Sequence, residues 1–170
     1  GLVRNALRQL PVDVPVHVED GRTLASSRAG EFDRILVDAP CTGLGALRRR
    51  PEARWRKTPG DVAELVPLQT ELLDAAIDAL APGGIVAYVT CSPHLAETTG
   101  VVAEALRTRD DVVELDARAV MAEIARSPLD LAGGDDGHVQ LWPHRHGTDA
   151  MFLALLQRTG STDTPEKGSP

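Results

Sequence analysis

Only two cysteines, Cys41 and Cys91, occur in 170 residues. That count excludes a disulfide-stapled secreted scaffold and makes a reducing cytoplasm the default compartment. Aromatic residues make up 3% of the chain, so base-stacking platforms must be few. No apolar run approaches the roughly 20 residues that a membrane span requires, and Gly1 opens no signal-peptide pattern. Positive charge is short as well: 18 Lys and Arg stand against 25 Asp and Glu, for a net charge of −7. This balance excludes a uniformly basic nucleic-acid coat but permits a local basic face. What is present, 170 residues with 42% hydrophobic content, suffices for one domain that folds without staples or metal.

The charge is unevenly spread. Residues 48–57 read Arg-Arg-Arg-Pro-Glu-Ala-Arg-Trp-Arg-Lys, with six basic side chains and one acid, or +5, which leaves −12 for the rest. One reading is a solvated loop. The other is a phosphate-contacting patch of Arg48, Arg49, Arg50, Arg54, Arg56 and Lys57, with Trp55 available to stack on a base.

Along the chain, residues 2–9 suit a short helix and 15–20 a strand ending at the Asp20-Gly21 turn signal. Residues 32–38 form a strand whose continuous apolar end predicts burial on both faces. Pro67 can open a helix that Leu68, Leu72, Ala75, Ala76 and Ala79 continue and Pro82-Gly83-Gly84 ends. A second buried strand covers 85–91. It is followed by a helix near 95–107 weakened at Gly100, a strand at 112–115 and a helix at 118–125. Residues 138–142 and 150–156 read as an antiparallel hairpin, 133–137 as a turn, and 159–170 as a disordered tail. Strand–helix alternation with a terminal hairpin predicts an α/β sheet with an antiparallel edge, carried by residues 1–158.

Both buried strands end in cysteine, as Asp38-Ala-Pro-Cys41 and Thr90-Cys91-Ser92. Ligands of open α/β sheets bind outside the carboxyl ends of the strands, so the two thiols face one crevice if the strands are neighbours. Pro40 and Pro93 bracket the cysteines with rigid backbone. Asp38 occupies the last strand position, where a carboxylate needs a partner or ligand, unless it serves only the turn. Weaker candidates are Gly43-Leu-Gly45, which lacks the third glycine of a dinucleotide loop, the His144/His146 pair, which lacks a third metal ligand, and a Cys91–His94 dyad across a proline turn. No metal site is expected.

Taken in order, Asp38-Ala-Pro-Cys41-Thr-Gly, Arg-Arg-Arg-Pro-Glu-Ala-Arg-Trp, Leu68-Gln-x-x-Leu-Leu, Pro82-Gly-Gly-x-x-x-Tyr-x-Thr-Cys91-Ser and Gly147-Thr-Asp149-x-x-Phe152 resemble the RNA cytosine-5 methyltransferases. The bacterial Sun/Fmu-type enzymes that modify 16S ribosomal RNA are the nearest branch, and the likeness runs from about residue 2 to 158. The resemblance implies a Rossmann-like fold and methyl transfer from S-adenosylmethionine to carbon 5 of a cytosine in single-stranded or splayed-out RNA. It implies Cys91 as the nucleophile that adds to carbon 6, and Cys41 as the group that removes the carbon-5 proton and releases the adduct. Asp38 then helps bind base and cofactor, Pro40 lies at the cofactor site, and Asp20 recognises the adenine amino group. The basic segment becomes an RNA grip.

The chain departs from that pattern in places. Leu95-Ala-Glu-Thr replaces a usual Pro-Glu-Glu-Asn, and Ala150-Met151 a usual Gly-Phe. The glycine-rich cofactor loop and the first two strands that should precede Asp20 are absent from these residues, so the expectation is a fragment, inactive alone and binding the cofactor weakly or not at all. Strand 32–38 should then carry an open edge, covered by rearrangement of 15–20 or by a second copy in a homodimer. The alternatives are an amino-group methyltransferase, with Asp38-Ala-Pro-Cys41 as a variant of the Asp/Asn-Pro-Pro-aromatic motif, and an RNA-binding module without catalysis.

Overall fold

A computed structural model of the chain describes residues 2–8, 10–131 and 137–160. Most of the turn read at 133–137 and the tail from 161 onward lie outside the described residues. The elements run α1 (Leu2–Leu7), α2 (Leu24–Arg28), β1 (Phe32–Asp38), α3 (Ala53–Arg56), α4 (Pro59–Ala79), β2 (Leu80–Thr90), α5 (Thr99–Thr108), β3 (Val112–Leu115), α6 (Ala117–Ile124), β4 (Val139–Leu141), α7 (Pro143–His146) and β5 (Met151–Arg158).

The sheet order is β1-β2-β5-β3, with β4 also pairing β5. β1 and β2 are parallel, and β5 is antiparallel to β2, β3 and β4. The expected hairpin of the last two strands is therefore present; β5 itself is an interior strand, and the expected antiparallel edge is formed by β3 and β4 beyond it. One side of β5 pairs with β2 from Phe152 to Gln157, while β3 and β4 divide its other side at 155–158 and 151–153. A single strand thus satisfies the backbone groups of three neighbours.

One face of the sheet is dry. Val86, Tyr88, Phe152, Ala154 and Leu156 alternate toward Leu73, Ala76 and Ile77 of α4 and Val101, Val102 and Ala105 of α5. Tyr88 and Phe152 meet edge to face with ring centroids 6.3 Å apart. The other face is only half-buried at Ile85, Ala87, Val89, Leu153 and Leu155. β1 corrects the expectation of burial on both faces: Leu36 is 68% exposed, because β1 is the outer strand and nothing among the described residues covers it.

Residues 15–20 do not form a strand and do not cover that edge. They run without a ladder partner, and Val18 is 93% exposed. Alternation alone does not make a strand where no neighbouring strand extends a ladder. The helix assigned from Pro67 begins at Pro59. Asp61 accepts hydrogen bonds from the Thr58 N–H (2.8 Å) and hydroxyl (2.7 Å), and Pro59 supplies a preset φ for the first turn. Pro67 sits inside the helix with Ala63 on an exposed stretch, where water can satisfy the carbonyl that the proline ring cannot. The helix ends at Ala79, before the expected Pro82-Gly83-Gly84 stop. Those residues instead bulge within β2, where the register passes from Phe32↔Leu80 to Arg34↔Ile85 and Gly83 takes φ +80°. The break expected at Gly100 falls at Thr98, which separates a short 3₁₀ turn (Leu95–Glu97) from α5.

Leu156 is fully buried, so Leu156→Ala is expected to lower unfolding stability by about 2–5 kcal/mol in urea titration. Val18→Ala, in the segment without a ladder, is expected to stay within about 0.5 kcal/mol.

Candidate active site

Parallel pairing brings the two cysteine-bearing turns together. Asp38 of β1 is in register with Val89 of β2, and the Ala39 N–H donates to the Val89 carbonyl at 2.9 Å, so both strands finish at one level. The chain leaves them through Pro40 and Pro93. Cys41 Sγ and Cys91 Sγ then lie 3.4 Å apart, both half-buried and both unoxidised. Burial pushes the Cys41 thiol above its ordinary range, and the hydrogen bond and negative charge of the Cys91 sulfur push it further. Cys41 therefore holds its proton at neutral pH.

Behind the thiols lies Glu97, fully buried at the end of the 3₁₀ turn. Its Oε1 accepts from the Thr42 N–H (2.7 Å) and from Gln69 Nε2 (3.2 Å). Its Oε2 accepts from the hydroxyls of Thr42 and Ser92, each at 2.6 Å. Gln69, also buried, donates from the same nitrogen to the Pro40 carbonyl at 2.8 Å. The Tyr88 hydroxyl donates to the Glu97 carbonyl at 2.9 Å, and the His94 N–H to Ser92 Oγ at 3.1 Å. Burial alone would raise the Glu97 carboxyl, but hydrogen bonds from Ser92, Thr42 and Gln69 outweigh it and hold the group below its usual value.

A third strand docks on the same turns. The Gly45 N–H donates to the Cys91 carbonyl and the Ala150 N–H to the Gly45 carbonyl, each at 2.9 Å. A Cβ on residue 45 would lie 2.1 Å from the Ala150 carbonyl oxygen, so only glycine fits. Next to it, Asp149 takes Arg49 through Nε at 2.7 Å and through Nη2, with Arg48 at 3.8 Å. The Arg49 guanidinium holds the Asp149 carboxyl below its ordinary value.

The predicted basic segment accordingly divides in two. Arg48 and Arg49 anchor to Asp149 while their side chains stay more than half exposed. Arg50, Arg54 and Arg56 are exposed, Lys57 pairs with Asp61 at 3.4 Å, and Trp55 is 84% exposed. Between this segment, α4 and the turn after Cys91 runs an apolar groove of about 770 Å³, whose lining includes Leu44, Val62, Val66, His94, Arg54 and Lys57.

The remaining predicted residues lie farther out. Asp38 and Pro40 are exposed, which corrects the idea of a carboxylate in need of a buried partner. They occupy the open edge of the sheet, where water solvates the charge. Asp20 is exposed and taken up by Arg22, whose Nη2 lies 2.6 Å from it and whose backbone N–H it caps at 3.0 Å. That pairing holds the Asp20 carboxyl at about 2. His94 Nδ1 accepts from the Ala96 N–H at 3.2 Å and is not bonded to Cys91. His146 spends both ring nitrogens on the backbone at Trp142 and Asp130. Among the described residues no three His, Cys, Asp or Glu side chains gather to hold a metal ion.

Glu97, Gln69 and Asp149 carry the site's scaffolding, and sequence reasoning assigned none of them a role. Gln69 and Asp149 stood inside quoted motifs. Glu97 stood in a segment noted only as a departure. One signal was available: Glu97 shares a four-residue spacing with Val101 and Ala105, the buried face of α5.

The family model described as 16S rRNA methyltransferase RsmB/F matches residues 1–157. A putative methyltransferase of Mycobacterium tuberculosis is 59% identical over 158 residues, covering 92% of this chain and 32% of that protein. Ribosomal RNA small subunit methyltransferase F of Serratia proteamaculans is 32% identical, covering 88% of this chain and 30% of that protein. The chain thus spans about a third of the length of these relatives. Among solved structures, NSun6 from Pyrococcus horikoshii with SFG superposes with a TM-score of 0.75 at 26% identity, over 92% of this chain and 38% of that one.

Because the Glu97 carboxyl is held below its unfolded value, the stability it contributes is present above the ordinary glutamate range near 4.3 and is lost as pH falls through its folded value. Urea titrations from pH 7 down to pH 3 are expected to show this loss, and Glu97→Gln is expected to flatten it.

Proposed function

The chain belongs to the 16S rRNA methyltransferase RsmB/F family, and on that premise we propose that it carries the reacting thiols for methylation of cytosine carbon 5 in small-subunit ribosomal RNA. The observation that supports this reading is the pair of sulfurs 3.4 Å apart at the ends of two parallel strands.

Carbon 5 of cytosine is a weak nucleophile. A thiolate that adds to carbon 6 places electron density on carbon 5 and splits one difficult step into easier ones. In this reading Cys91 makes that bond, and the Cys41 sulfur lies 3.4 Å from it, within reach of a thiol hydrogen bond. S-adenosylmethionine, when bound, supplies an electrophilic methyl group. Once Cys91 is committed to carbon 6, two of the three causes that hold the Cys41 proton, the hydrogen bond and the neighbouring charge, are gone. Cys41, half-buried at the crevice, can then give its proton to water and, as the thiolate, take the one from carbon 5. The electron pair left behind restores the ring double bond and expels Cys91.

RNA is the proposed partner. Arg50, Arg54 and Arg56 offer phosphate contacts and Trp55 a stacking face, while Arg48 and Arg49 moor the segment to Asp149 beside the thiols. The residues proposed for the cofactor fit it in part. Asp38 presents an exposed carboxylate that no bond engages among the described residues, and Pro40 lies beside it. Asp20 must first release Arg22 before it can accept from an adenine amino group. The neighbour solved with SFG supports the cofactor class. With so few groups free to hold it, this chain by itself is expected to bind S-adenosylmethionine weakly. Titration calorimetry showing micromolar affinity would overturn that.

In the longest polypeptide that carries these residues, Cys91→Ser is expected to reduce RNA methylation to background. Cys41→Ala is expected to accumulate a protein–RNA adduct that survives denaturing electrophoresis. Normal turnover by Cys91→Ser would sink the carbon-5 reading in favour of methyl transfer to an amino group. RNA binding with no methylation by the unsubstituted protein would favour a non-catalytic module.

A further inference from the structure

We propose that Glu97 is a positioning residue that sets the spacing of the two reacting thiols, by clamping the turn after Cys41 to the turn after Cys91. The proposal rests on the reading above that both thiols take part in the reaction. The ladder between β1 and β2 ends at the Ala39–Val89 hydrogen bond, so nothing in the sheet fixes what lies beyond. Residue 42 follows one cysteine and residue 92 the other. Their two hydroxyls are 3.5 Å apart, at the limit of a direct bond. Both donate instead to one oxygen of Glu97, at 2.6 Å each.

The rest of the clamp has the same logic. The second Glu97 oxygen takes the Thr42 backbone N–H and shares Gln69, which also holds the Pro40 carbonyl. Cys41 is thereby flanked by restrained backbone at positions 40 and 42. All four groups that reach the Glu97 carboxylate are donors, so an acceptor-only group satisfies every one. A glutamine must point its amide hydrogens at two hydroxyls, which then turn round and lose their acceptor. The Gly45–Cys91 backbone bond fixes the outer end of the first turn but does not reach residue 42. The bend at Thr98 (φ −123°, ψ −100°) aims the carboxylate inward, and the Tyr88 hydroxyl anchors its backbone.

Because the chain has two cysteines and no others, a reagent that bridges thiols measures their spacing directly. Phenylarsine oxide condenses with two nearby thiols to give one arsenic dithiolate and water. The unsubstituted chain is expected to bind one arsenic across Cys41 and Cys91, read by intact mass. Ser92→Ala and Glu97→Gln are expected to weaken that affinity roughly tenfold or more, the order of one hydrogen bond to a charged group. Glu104→Gln, on an exposed ion pair of α5, is expected to leave it unchanged. In the two weakened variants the iodoacetamide pH profile of Cys41 should move down toward that of an ordinary cysteine, read well below the urea midpoint of each variant so that unfolding does not contribute. Where Glu97→Gln fails to fold, Ser92→Ala and Thr42→Val decide alone. Wild-type arsenic affinity and an unmoved Cys41 profile in folded variants overturn the proposal, as does failure of the unsubstituted chain to capture arsenic. These readouts need no methyl transfer, so an error in the assigned reaction would show separately, as absent methylation with the thiol results intact.

Discussion

At the carboxyl end of the sheet, four hydrogen-bond donors from three elements converge on the carboxylate of Glu97. A charge in a dry site is costly unless its lone pairs are filled, and here they are. Breaking one arm leaves part of a buried charge unsolvated, whereas replacing the whole group would leave four unpaired donors. The site is therefore held by a constraint that tolerates little drift. Two turns that the strands leave loose become one rigid unit, and the sulfurs they carry sit at contact distance.

The sheet supplies the frame for that unit. β5 lies between β2 and β3, and the residues that lead into it, Asp149 and Ala150, dock on the cysteine turns through Gly45. Gly45 closes the gap, since its missing side chain lets two backbones approach. Asp149 then fixes Arg48 and Arg49, so the basic segment begins at a rigid point and extends into solvent through Trp55. Opposite charges meet where the segment is anchored, and free cations remain where a polyanion could be met.

Several features were legible before any coordinates because they depend on local chemistry. The strands 32–38 and 112–115, the closing hairpin and the helix near 118–125 follow from residue type and turn signals, and the structure adds an Asp116 cap on that helix, accepting from Arg118 and Ala119. Other boundaries moved because a stronger local signal competed. The Thr58–Asp61 box outranked Pro67, and the Pro82-Gly83-Gly84 segment bulged in a strand in place of ending a helix. Segment 15–20 has the alternation of a strand but joins no ladder among the described residues, and pairing is not a local property.

The sequence by itself determined which chemistry was available: two thiols at strand ends, each framed by proline, and one dense basic stretch beside a tryptophan. It also determined that β1 and β2 would be strands, since their residue types favour extended backbone. Tertiary structure decided the distance between the thiols, because that depends on parallel register and on a carboxylate six residues after Cys91 turning inward. It decided the burial of Glu97, the sharing of Arg48 and Arg49 with Asp149, and the exposure of Asp38. Each of these is a meeting of groups far apart in the chain, and only packing brings such groups within hydrogen-bond reach.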